Sequence, residues 1–134
     1  MFPRIREITD ALGERLRVSV ETHPSGALVL LERPGRRDRV RALLDGYGAE
    51  VLWGYIMAAR LAIGGELPDE SFGGTFPSRL RLVQEPRPAI VMTQAELERP
   101  FEIPATLWDR LYAELCLVNA HARELSRRVE AQVQ

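Results

Sequence analysis

The chain of 134 residues carries 18 basic residues, every one an arginine, with no lysine, one cysteine (Cys116) and two histidines (His23 and His121). That excludes a lysine Schiff base, a pyridoxal-phosphate anchor and a phosphate-loop lysine. It also excludes an intrachain disulfide, a four-cysteine zinc site and a three-histidine zinc site within one chain.

The net charge of −1 gives no overall pull toward nucleic acid or an anionic membrane. A hydrophobic content of 46% with 28% charged residues is that of a globular protein. The length predicts one domain that needs no metal or disulfide staple. The all-arginine basic set is most simply the signature of a GC-rich genome. No signal peptide is expected from Met1-Phe2-Pro3-Arg4, and the longest apolar stretch, 49–63, falls short of the about 20 residues of a membrane span. A cytoplasmic location is the expectation.

Ile5, Ile8, Leu12 and Leu16 recur at helical spacing and predict a first helix from about Pro3 to Arg15. Arg17 to Thr22 alternates like a half-buried strand. The sequence His23-Pro24-Ser25-Gly26 reads as a turn, and Ala27 to Arg33 as a strand apolar on both sides. From Arg36, the series Val40, Leu44, Tyr47, Val51, Tyr55, Ala58 and Ala62 predicts a long second helix, apolar nearly all round after Ala49. Gly46, Gly54, Ala58 and Ala62 lie on one ridge, where small residues let another backbone approach. Gly64-Gly65 suits a left-handed cap.

Residues 64–78 hold four glycines, two prolines and three acids, and predict a lid, a partner-binding arm or a disordered loop. Arg79 to Glu85 and Ala89 to Thr93 read as strands around the stiff corner Pro86-Arg87-Pro88. Residues 97–103 read as an edge strand or extended linker. Thr106 with Asp109 resembles a capping box that opens a last helix through Leu107, Leu111, Leu115, Val118, Ala122, Leu125 and Val129.

The fold class expected is α+β, in the order α-ββ-α-ββ(β)-α. An antiparallel sheet of four to five strands would pack against two long helices. The stretches from Leu16 and from Leu80 look alike, which allows a duplicated ββα unit.

The arginines Arg33, Arg36, Arg37, Arg39 and Arg41 form a basic cluster. It is either an anion or partner contact, or a solvated face paired with the chain's nineteen acids. The solvated face is the simpler reading, and the absence of interleaved aromatics disfavours nucleic acid. His23 reads as an incidental turn residue. Cys116 lies about 140° around the last helix from His121, which rules out a dyad on that helix and suits a buried thiol. His121 and Glu124 suit a surface pair. Trp53, Tyr55, Phe72 and Phe76 would line an apolar pocket if the 64–78 loop were a lid.

No catalytic or metal-ligand motif is present in the sequence, and no cofactor or metal is expected. The feature with most consequence is the surplus of apolar residues, which a second copy of the chain would cover. The expected function is therefore a non-enzymatic cytosolic accessory or protein-interaction module acting as a homodimer. The alternative is a binding protein or enzyme for a small apolar or anionic ligand. Weak nucleic-acid binding through Arg33–Arg41 comes third. No membrane partner is expected.

Overall fold

A computed structural model describes residues 4–24, 26–35 and 40–133. Among them the class is α+β, built as two successive units of four strands and a helix. The first unit comprises β1 (Arg4–Thr9), β2 (Arg15–His23), β3 (Gly26–Glu32), β4 (Arg41–Leu44) and helix α1 (Gly46–Leu61). The second comprises β5 (Glu70–Phe72), β6 (Ser78–Val83), β7 (Ala89–Gln94), β8 (Phe101–Pro104), a 3-10 turn (Ala105–Leu107) and helix α2 (Trp108–Val133). Each set of strands forms its own antiparallel sheet in sequential order, so the strands are split between two sheets and not gathered in one. The stretches that looked alike are β2–β3 and β6–β7, the central strands of the two sheets.

The predicted first helix is instead strand β1 and a turn. Ile5, Ile8, Leu12 and Leu16 fit one helical face, but Leu16 belongs to β2 and Leu12 lies 73% exposed in the turn. The turn chemistry decides the matter. Asp10 Oδ1 accepts the backbone N–H groups of Leu12 and Glu14 at 2.8 and 2.9 Å, and Gly13 takes φ +85°. Few residues but glycine adopt that angle cheaply.

The second helix also starts later than its periodicity implies. Residues 36–39 lie outside the described residues, and Arg41–Leu44 pairs with β3 as a strand. Ala42 and Leu44 are both fully buried, so the short run satisfies a strand's alternation as well as a helix's spacing. Asp45 marks the true start of α1: its Oδ1 accepts the Gly48 N–H at 2.7 Å. Its Oδ2 accepts the Thr75 N–H at 3.0 Å, which fastens the 73–77 turn to the helix start. Gly48 is required there, because an added Cβ would come within 2.9 Å of the Phe72 ring. Asp45→Ala removes cap and fastening together, and is expected to lower unfolding free energy by about 1–2 kcal/mol in urea titration.

Most of the buried apolar residues form one connected cluster. The first sheet contributes Leu16, Val18, Val20, Val29, Leu31 and Leu44, and the second contributes Leu80, Ile90, Met92, Phe101 and Ile103. Helix α1 adds Leu52, Tyr55 and Ile56, and α2 adds Leu111, Leu115, Val118, Ala122 and Leu125. Helix α2 packs along β2 and β3 of the first unit and along α1, so the second unit's helix covers the first unit's sheet.

Polar ties join the two units at separate places. The Gln94 side chain, at the end of β7, pairs with the backbone of Leu43 in edge strand β4. It donates to the Leu43 carbonyl at 2.6 Å and accepts the Leu43 N–H at 3.2 Å, as a neighbouring strand would. Elsewhere, Glu14 accepts from Arg33 and, at 2.9 Å, from Arg87, whose corner leads from β6 to β7.

Candidate interaction surface

The arginine cluster does not act as one patch among the described residues. Arg33 is 8% exposed. It is ion-paired with Glu14 and donates to the carbonyls of Arg15 and Glu102 at 2.8 and 2.9 Å, so it is an internal clamp. Arg36, Arg37 and Arg39 lie outside the described residues. Arg41 is exposed on β4 opposite Glu32.

The four aromatic residues proposed to line a pocket under the loop are also separated. Phe72 is buried on β5 and meets Tyr47 edge-on at 6.4 Å between ring centres. The stretch 64–78 is therefore partly an edge strand, paired with β6. Tyr55 is buried and its hydroxyl donates to the Pro68 carbonyl at 3.4 Å. Burial, with the nearby Asp69 and Glu70, pushes that phenol above its ordinary pKa. Trp53 turns toward α2 and stacks on Tyr112, with ring centres 5.1 Å apart. Phe76 packs edge-on against His23 at 6.1 Å, so His23 is half-buried at the end of β2 and not free in a turn. Arg41 and Phe76 do share a groove of about 310 Å³ with Leu43, Pro77 and Gln94.

The last helix departs from expectation in three ways. Thr106 donates its hydroxyl to Asp10 and forms no capping box with Asp109. That bond, with the Leu12 and Glu14 N–H groups and the nearby Arg87, holds the Asp10 carboxyl below its ordinary pKa. Glu7, within β1, is lowered by its hydrogen bond from Arg15 and by Arg17. Glu124 pairs with Arg127 and Arg128 and not with His121, whose Nε2 is buried without a partner. Cys116 is exposed, not buried. Periodicity had placed it in the apolar run from Leu115 to Val118, but only Leu115 and Val118 of that run face the core.

This last correction locates the surplus apolar surface. Helices α1 and α2 lie antiparallel, tied by Glu50–Arg123 at 3.0 Å and Arg60–Asp109 at 3.1 Å. On the solvent side of α2, Ala113, Cys116, Leu117 and Ala120 are all exposed, with Leu117 at 54%. They recur at i, i+3, i+4 and i+7, one helical face free of charge for about two turns. On its own solvent side α1 exposes Gly54, with open space where a Cβ would stand, and Leu61 at 84%. Sequence reasoning identified the small-residue ridge of α1 but not the α2 stripe, whose signal is the stretch between Glu114 and Arg123 that carries no charged residue.

Among the described residues, no three or more His, Cys, Asp or Glu side chains are grouped to hold a metal ion, and no helix is long and apolar enough to cross a membrane. No family model matches the chain, and no curated protein is similar to it.

Proposed function

We propose that the chain is a non-enzymatic cytosolic accessory module that works as a homodimer and presents the rest of its surface to a protein partner. The observation that carries this reading is the uncharged outer face of α2, with Leu61 of α1 also 84% exposed. A solvent-facing helix normally spends those positions on charged residues. Covering them with a second copy removes apolar area from water at about 25 cal/mol per Å². Among the described residues, Arg33 is ion-paired with Glu14, and Cys116 and His121 lie on different sides of α2.

Light scattering on the purified chain tests the proposal. The expected mass at micromolar concentration is twice the 15.1 kDa of one chain. A monomer throughout the micromolar range would overturn it.

A second reading rests on the groove shared by Arg41 and Phe76. Its lining, with Arg41 and Glu96 as the charged residues among Leu43, Phe76, Pro77 and Leu97, suits a small polar ligand with an apolar body. Native mass spectrometry separates the two readings, because it reports subunit number and any retained small molecule in one spectrum.

A further inference from the structure

Resting on the homodimer proposed above, we infer that the two copies join through their α2 helices, packed antiparallel and crossing at Cys116 and Leu117. The small side chains of Ala113, Cys116 and Ala120 allow close approach, and Leu117 is the one large apolar side chain among them. Close helix packing needs such an alternation of small and large residues.

The charges at the ends of the stripe select the direction. Asp109 and Arg110 flank its N-terminal end, and Arg123, Glu124, Arg127 and Arg128 flank its C-terminal end. All six are accessible, Asp109 and Glu124 through side chains 73% and 46% exposed. Antiparallel packing sets Arg110 beside the partner's Glu124 and Asp109 toward the partner's Arg127. Parallel packing would instead set Arg110 beside the partner's Arg110 and Glu124 beside the partner's Glu124, and would bring Arg127 and Arg128 of both copies to one end. Helix dipoles also oppose one another favourably in the antiparallel arrangement.

The free edge of the first sheet is a poorer joint. β1 carries Arg4, Arg6 and Glu7 within six residues. A two-fold pairing about the middle of that strand sets Arg6 against Arg6 or Glu7 against Glu7, the kind of charged edge that blocks strand pairing.

The geometry has a chemical signature. In the antiparallel arrangement, the flank of the stripe that carries Cys116 meets the same flank of the other copy. The two sole cysteines then lie within reach of each other. A parallel arrangement would also hold the two cysteines at one height, so the cross-link reports on the joint and the charge exchange at positions 110 and 124 reports on its direction. A short bis-maleimide, whose two double bonds each add one thiol, is expected to convert the wild-type dimer to a covalent dimer linked through Cys116. Cys116→Ser should abolish the product and leave the light-scattering mass unchanged.

Leu117→Arg, at a position already 54% exposed, should keep the wild-type circular dichroism. It should raise the dimer dissociation constant by about tenfold or more, since it places a cation at the centre of the joint. Arg110→Glu and Glu124→Arg should each weaken the dimer, and the double variant should recover it. A dimer that gives no Cys116 cross-link and ignores Leu117→Arg overturns this joint and leaves the homodimer standing. A wild-type chain that stays monomeric overturns the homodimer itself.

Discussion

Replacing Glu14 by alanine is expected to lower the stability of the chain by about 2–3 kcal/mol, although Glu14 lies in a turn and is not itself fully buried. The reason is Arg33. Its side chain is 6% exposed, and Glu14 is the counter-charge that makes this burial tolerable. Without the carboxylate, the guanidinium stays held by the Arg15 and Glu102 carbonyls, at 2.8 and 2.9 Å, but loses this ion pair. Those two bonds place the expected loss toward the low end of the range for broken buried pairs. Arg87, 36% exposed, loses the same partner but recovers water. Glu14→Gln should fall between wild type and alanine, since it keeps an acceptor and loses the charge. Glu7 is the control. It pairs with Arg15 at 2.7 Å and Arg17 at 3.4 Å on the exposed side of β1–β2, and Glu7→Ala should move the urea midpoint little. Raising salt should leave the Glu14 effect largely intact, because buried pairs are screened less than exposed ones. Equilibrium urea titration of the three variants at two ionic strengths measures all of this.

The Glu14–Arg33 pair also shows where sequence reading stops. Arg33 was legible as a member of a basic cluster, because five arginines fall between positions 33 and 41. Its partner lies 19 residues earlier, and Arg87, which shares Glu14, lies 73 residues later than that carboxylate. No local pattern encodes such pairings. By contrast, the β2–β3 hairpin and the last helix were readable, because alternation and the 3.6 period act over neighbouring residues. The first helix failed for a related reason. Ile5, Ile8, Leu12 and Leu16 satisfy a helical period only if the chain continues straight through Gly13, and the Asp10 turn prevents that. The outer face of α2 fell between these cases. Its residues were readable, but a mixed run such as Glu114 to Val118 does not declare which side meets the sheet. Burial of Leu111, Leu115, Val118, Ala122 and Leu125 in the core sets the rotation of α2 and turns Cys116 and Leu117 outward.

Trp108 carries the largest single effect expected of a side chain here. It begins α2, is 1% exposed, and donates its indole N–H to the Ile103 carbonyl of β8 at 2.9 Å. It thereby holds the turn from the last strand into the last helix, and that helix covers β2 and β3 as well as α1. Trp108→Ala combines lost burial with a cavity in a core shared by both units, and should cost about 3–5 kcal/mol. Trp108→Phe retains most of the ring's volume but removes the donor, leaving the Ile103 carbonyl to find another partner or water. A cost of about 1–2 kcal/mol is expected for it. The two variants distinguish what Trp108 does. If filling space is its main role, phenylalanine should restore most of what alanine loses. If the hydrogen bond sets the angle at which α2 leaves β8, phenylalanine should leave α2 misplaced over the first sheet. Amide exchange would then speed up in β2 and β3, far along the chain from position 108. Hydrogen-exchange measurement on both variants, read strand by strand, gives the answer, with the expected outcome that protection in β2 and β3 survives Trp108→Phe and is lost in Trp108→Ala.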